Sequence, residues 1–251
     1  MQLIELLYPA LLLIVLLVFI HAVFGLEIIK RGVIFTDLAV GQMAAVGLAI
    51  SIGFLKGAYQ TSLTLGFALL GAMLITYATR KVEHIEAFIG MVYAFGTSSI
   101  MILLANSPQG AELFSKLSAV DILFTTIEEV YQAALIYVGV AFIMYIYYPR
   151  TKGIMRELTF FVLLAVTVTS SVQLAGVLVV FVLLVAPAFI ALLQQKFTPL
   201  YVAWTNGLLL SVMAIVVSYY YDLPTGYSIV FFHSLAVMAF VLFIRKNNKR
   251  S

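Results

Sequence analysis

Polar positions are rare along this chain, and where they interrupt the apolar pattern they cut it into runs of similar length. Such runs fall at about 8–29, 33–55, 59–79, 85–105, 130–148, 157–172, 174–195, 199–220 and 226–244. Most are near the roughly 20 residues that a helix needs to cross a hydrocarbon core of about 30 Å. The pattern predicts an all-α, polytopic helical membrane protein. Nine spans is the direct reading, and the tight Ser171-Val172-Gln173 junction leaves eight open. No linker divides residues 1–251, so the expectation is a single membrane domain. The opening MQLIELLYPALLLIVLLVF lacks the basic start and small-residue cleavage site of a secretory signal and reads as the first span.

Composition agrees with the pattern. Hydrophobic residues make up 64% of the chain, charged residues 10%, and the mean hydropathy is +1.13, outside the range of water-soluble domains. The absence of cysteine excludes disulfides, thiolate metal sites and lipid-modified cysteines. A net charge of +3 and a pI near 9.0 do not point to nucleic acid, because the basic residues lie in short clusters between apolar runs. They report topology instead. With the N-terminus outside and nine crossings, Lys30, Arg31, Arg80, Lys81, Arg150, Lys152, Arg156, Lys196, Arg245, Lys246, Lys249 and Arg250 fall on the cytoplasmic side. That is twelve of the fourteen Lys and Arg, leaving Lys56 and Lys116 outside. The expected location is a bacterial cytoplasmic membrane, with the C-terminus in the cytoplasm.

Polar groups inside spans are costly, so each needs a partner or a purpose. With a rise of about 1.5 Å per residue, His21 lies roughly 13 Å from the Lys30 end of its span, and Gln42 and His233 lie at comparable depth. Asp37 sits one to two turns nearer the cytoplasm and is the hardest to read as packing. It could pair with Arg31, cap a broken helix or face a hydrated pathway. An imidazole, a carboxylate and an amide oxygen suit a divalent cation such as zinc, manganese or iron(II). Lone membrane histidines and glutamines also serve as interhelical hydrogen-bonding groups. Ala39, Gly41, Ala44, Ala45, Gly47 and Ala49 suit a helix packed inside the bundle. Residues 107–130 form the longest stretch between spans and carry Glu112, Asp121, Glu128 and Glu129 against Lys116. The imbalance suits either an external acidic vestibule that attracts cations or ordinary surface charge.

Catalytic signatures are missing. There is no GxxxxGK[ST] phosphate loop, no HExxH and no GxSxG, so neither nucleotide hydrolysis nor an intramembrane enzyme is expected of this chain. Four stretches in order carry a resemblance: RGVIFTDLAVGQMAAVG (residues 31–47), EAFIGMVYAFGTSSIMILL (86–104), GVLVVFVLLVAPAFIALL (176–193) and DLPTGYSIV (222–230). With them the chain resembles the permease subunit of the zinc/manganese/iron family of ABC importers. The resemblance implies a homodimer with a pathway at its interface, a separate ATP-binding cassette ATPase and an extracytoplasmic metal-binding protein. It implies no resident cofactor and no nucleic acid, only lipid around the chain and a divalent metal in transit. The stretch Pro187 to Pro199, with Gln194, Gln195 and Lys196, is the expected ATPase-docking loop.

One departure stands out. Where the family has Asp-x-x-x-His on one helix face, this chain has Gly41 and then Gln42. In an unbroken helix Gln42 lies well off the Asp37 face, which favours His21 as the replacement nitrogen. Two rival readings are an ion-coupled secondary transporter, which would need a repeat that the halves do not show, and a non-transporting assembly subunit whose polar groups only pack.

Overall fold

The computed structural model describes residues 2–105, 122–194 and 196–243, with the side chains of residues 2–6 and of Phe243 left aside. Nine long helices make up the described chain: α1 (Gln2–Arg31), α2 (Thr36–Leu55), α3 (Gln60–Ala78), α4 (Ile85–Leu104), α5 (Ile127–Ile146), α6 (Gly153–Ala175), α7 (Val177–Leu193), α8 (Pro199–Tyr221) and α9 (Thr225–Phe243). Among the described residues there is no strand. A chain in lipid must satisfy its backbone within each segment, and helices do so. Eight of the nine are long and apolar enough to span a membrane, and α7 is shorter, at 17 residues.

The helices form two packing groups. In one, α1 lies on α7 and α8, and α9 packs on α7 and α8; in the other, α2 lies on α3 and α4. The hairpin of α6 and α7 joins them, since α6 packs on α2 and α3 while α7 meets α1, α2, α8 and α9. Phe24, Phe160, Phe161, Leu13, Leu17 and Leu164 fill the centre with side chains less than 2% exposed. Every residue of α7 is buried or half-buried, as expected for a helix apolar on all sides. Outward faces of α3, α4, α5, α8 and α9 instead carry exposed Leu, Met, Phe and Tyr, the composition of a surface solvated by lipid.

Two features set the hairpin. Gly176 turns α6 into α7 at φ 83°, ψ 160°, a region that only glycine enters without strain. The turn is buried, so its irregular backbone is sheltered by protein as the membrane requires. Gly25 lets α1 press on α7: a Cβ built there would lie 1.9 Å from the Leu184 carbonyl oxygen. Small residues at crossings are how helices approach closely in lipid.

Most span boundaries agree with the sequence pattern to within a few residues. α5 begins at Ile127, where a capping box closes its first turn: Thr126 accepts from the Glu129 amide, and the Glu129 carboxylate accepts from the Thr126 amide at 2.7 Å. The apolar pattern does not register such a cap, and it set the start of this span at residue 130. Of the stretch 107–130, the part up to 121 lies outside the described residues, including Glu112, Lys116 and Asp121.

Candidate functional site

Helix α2 carries Asp37 and Gln42, two of the expected site residues. It is one of the most buried helices, and Ala39, Ala44, Ala45 and Ala49 are all at most 1% exposed, as their small size led us to expect. It is also an uninterrupted helix, so successive side chains rotate by about 100°. The consequence is visible in its neighbours. A Cβ at Gly41 would touch Val168 and Val172 of α6 and Val177 of α7 at 3.5–3.6 Å, whereas the Cβ of Gln42 is 2.8 Å from one built on Gly96 of α4. Asp37 lies one turn below Gly41 and shares its side of the helix. Asp37 and Gln42 therefore address different neighbours, and Gln42 does not replace a ligand four residues from Asp37.

The Asp37 side chain is 2% exposed, and neither carboxylate oxygen forms a hydrogen bond of proper geometry. Its favourable neighbours are the amides of Asp37 and Leu38 in the first turn of α2, the positive end of the helix dipole. The expected alternative of a pair with Arg31 is not formed. Arg31 is committed elsewhere: it donates to Glu157 Oε2 and Tyr148 OH, each at 2.5 Å, lies 3.7 Å from Glu27, and stacks 4.2 Å above the Phe160 ring. Sequence reasoning missed this network because its members are 117 and 126 residues apart. Glu86 was missed as well. Its Oε1 accepts from the Ile34 amide at 2.5 Å and pins the α1–α2 turn to the start of α4, while its Oε2 is buried without a partner.

The two buried histidines differ. His233 is held at both nitrogens, with Nδ1 3.0 Å from the Ile229 carbonyl and Nε2 3.5 Å from Ser211 Oγ, so it ties α9 to α8. His21 bonds only its own helix, Nδ1 to the Leu17 carbonyl at 2.8 Å, and its Nε2 is buried and free of partners. His21 belongs to the α1 group and Asp37 to the α2 group. Among the described residues no three His, Asp or Glu side chains come close enough to hold one metal ion. His21, Asp37, Gln42 and His233 thus do not assemble into one ligand set within a single copy of the chain.

At the opposite end of the bundle from Arg31, Glu129 lines a cleft of about 230 Å³ with Thr61, Gln132, Thr169, Ser170 and Gln173. Glu128 is exposed beside it. The expected docking loop is shorter than the stretch anticipated. Pro187 is buried within α7, and the connection to α8 begins at Gln194, with Gln195 outside the described residues. Gln194 braces this turn from inside. Its amide donates to the carbonyls of Ala191 and Phe197 at 3.1 and 2.8 Å, and its Oε1 accepts from the amides of Lys196 and Phe197 at 2.9 Å each. Phe197 projects 64% exposed from the turn, with the Lys196 ammonium 5.4 Å from its ring.

Known proteins share this architecture. The family model described as the ABC 3 transport family matches residues 3–244. A "probable iron transport system membrane protein" of Haemophilus influenzae is 24% identical over 220 residues, covering 80% of this chain and 76% of that one. Among solved structures, a chain of PsaBC from Streptococcus pneumoniae in complex with Fab aligns at a TM-score of 0.79 and 19% identity, over 97% of this chain and 94% of that chain. A "metal-chelate type ABC transporter" in an inward-facing conformation aligns at 0.70 and 14% identity, over 94% and 86%. At such identities the two structures speak to the fold.

Proposed function

This chain belongs to the ABC 3 transport family, and from that premise we propose that it is the permease subunit of an ABC importer for a divalent transition-metal ion: zinc, manganese or iron. The observation that carries the reading is Asp37, a carboxylate buried in a spanning helix with no side-chain partner at either oxygen. An ionised group in that setting is tolerated when a cation or water meets it. A passing metal supplies the charge, and the helix amides hold the carboxylate in place between passages. His21 Nε2 is the buried imidazole nitrogen left open for a second contact. The name of the Haemophilus relative favours iron within this class.

The remaining roles follow from the same reading. ATP is hydrolysed on a separate cassette subunit, and a binding protein delivers the metal from outside. The turn braced by Gln194 offers a pre-formed knob, Lys196 and Phe197, for the cassette subunit to grip. Two copies of the chain enclose the pathway, so each contributes one Asp37 and neither needs a complete ligand set. Movement of the knob would then rock α7 and α8 and expose the pathway to one side at a time.

The test is uptake of labelled zinc, manganese and iron(II) into vesicles that hold the permease with its cassette and binding subunits. ATP-dependent uptake of one metal is expected, reduced at least about a hundredfold in Asp37→Asn and about tenfold in His21→Ala, with assembly intact in both. Normal uptake by an assembled Asp37→Asn complex would sink the assignment of Asp37. Absence of ATP-driven uptake of any of the three in wild type would remove the metal.

A further inference from the structure

At the Arg31 end of the bundle a cleft of about 540 Å³ opens between α1, the α3–α4 turn and the start of α6, lined by Glu27, Arg31, Thr79, Arg80, Arg156 and Glu157. Its charges are not equivalent. Arg31 is bound to Glu157 and Tyr148 and faces Glu27, so it is the nearest partner of both carboxylates, which also act on Arg156 from further off. Arg156 is exposed and lies 4.9 Å above the Tyr148 ring, which fixes its direction. Arg80 is exposed, and its guanidinium has no hydrogen-bond or ion-pair partner among the described residues. The cleft therefore presents two exposed forked cations beside a third that holds its two acids, an excess of one positive charge in a geometry that accepts phosphate oxygens well.

A second observation says what the phosphate is attached to. Leu70, Met73, Leu74 and Tyr77 are 57%, 51%, 45% and 65% exposed, and their spacing places them in one stripe along α3. The stripe runs down the helix and ends at Thr79 and Arg80, the lip of the cleft. A basic pocket between spanning helices, continued by an apolar track along one of them, matches a molecule with an anionic head and a hydrocarbon tail.

We propose that this cleft is a binding site for one anionic phospholipid, its phosphate held between Arg80 and Arg156 and an acyl chain lying on Leu70, Met73, Leu74 and Tyr77. The site is independent of the transported cargo and needs only that the chain spans a membrane. It would tie the α3–α4 turn to the start of α6, two segments that no ion pair joins among the described residues.

The experiment uses the full-length protein in detergent, with native mass spectrometry to count retained lipids and titrations of phosphatidylglycerol against phosphatidylcholine. Wild type is expected to prefer phosphatidylglycerol by about tenfold to thirtyfold, the worth of two basic groups at a lipid headgroup. Arg80→Ala/Arg156→Ala should lose that preference, and Arg80→Lys/Arg156→Lys, which keeps the charge and guards against a folding artefact, should keep most of it. Equal retention of the two lipids by wild type, or a preference surviving in the alanine variant or lost in a folded lysine variant, overturns the proposal. So does displacement of the lipid by soluble glycerol phosphate at equal concentration, which would make the cleft a free-anion site. Loss of cassette-subunit binding in the alanine variant, with lipid preference unchanged, would make it a protein-docking surface instead.

Discussion

Where α1 meets α7 and where α2 meets α3, a glycine lets one helix press against the backbone of another. A Cβ at Gly25 would stand 1.9 Å from the Leu184 oxygen, and one at Gly47 would stand 2.3 Å from the Leu63 oxygen. The two seams are equally tight, yet they treat polar groups differently. Around α1, α7, α8 and α9 most buried polar atoms find partners: His233 binds Ile229 and Ser211, and Ser218 meets Thr225 at 3.0 Å, while His21 Nε2, Arg31 Nε and Asn206 Oδ1 form no hydrogen bond. Around α2 and α4 fewer do. Thr36 Oγ1, both oxygens of Asp37, Gln42 Oε1, Glu86 Oε2 and Thr97 Oγ1 account for six of the ten buried side-chain atoms without a partner among the described residues. Close packing and polar satisfaction are separate properties, and the surroundings of α2 have the first without the second. A purely structural seam would gain by filling those positions with apolar groups, and the unmet atoms are what the proposed passage of a cation would use.

The comparison can be broken most forcefully at its common element. Gly25→Ala and Gly47→Ala are each expected to cost about 1–3 kcal/mol, because backbone rather than a flexible side chain must move. Thermal unfolding in detergent should show both lowered by several degrees. A harmless Gly47→Ala would mean that the second seam is looser than the first, and its unmet polar atoms would then need no further reason.

The histidines sharpen the contrast at smaller scale. His233→Phe removes contacts to two helices and strands Ser211, at about 1–2 kcal/mol, while His21→Phe removes a bond within α1 together with an unpartnered nitrogen, for a cost below about 1 kcal/mol. Melting curves of the two variants side by side decide it, and an inverted order would make His21 the structural residue. The smallest changes belong to the α2 seam. Thr36→Val and Gln42→Leu are expected within about 0.5 kcal/mol of wild type, or slightly more stable, since each deletes a polar atom that the fold leaves unpaired. A loss above about 2 kcal/mol in either would show that the atom has a partner in the folded protein.

The helices were legible in the sequence because lipid imposes a length on each apolar run and the chain carries few charges to blur the ends. The division of α2 into faces was legible for the same reason, since periodicity alone separates Gly41 from Gln42 once the helix is unbroken. What could not be read was which helix each face meets. The three valines around Gly41, the carbonyl beside Gly25 and the partners of Arg31 all come from segments far along the chain, and a helix apolar on every side gives no directional signal. Pairing Asp37 with Arg31 was a local guess, overturned because Glu157 and Tyr148 reach Arg31 from another part of the fold.

Helix α7 has a further consequence. Its 17 residues extend about 26 Å, less than the hydrocarbon thickness of a bilayer, and none of them is fully exposed. A short helix at the lipid boundary must thin the membrane or tilt, whereas this one packs on α1, α2, α8 and α9 and turns outward a half-buried stripe that includes Phe181, Val185 and Phe189. Most of its surface is therefore set by those helices rather than by the bilayer. The element that joins the two packing groups is thus largely shielded from the mechanical state of the membrane in which the chain sits.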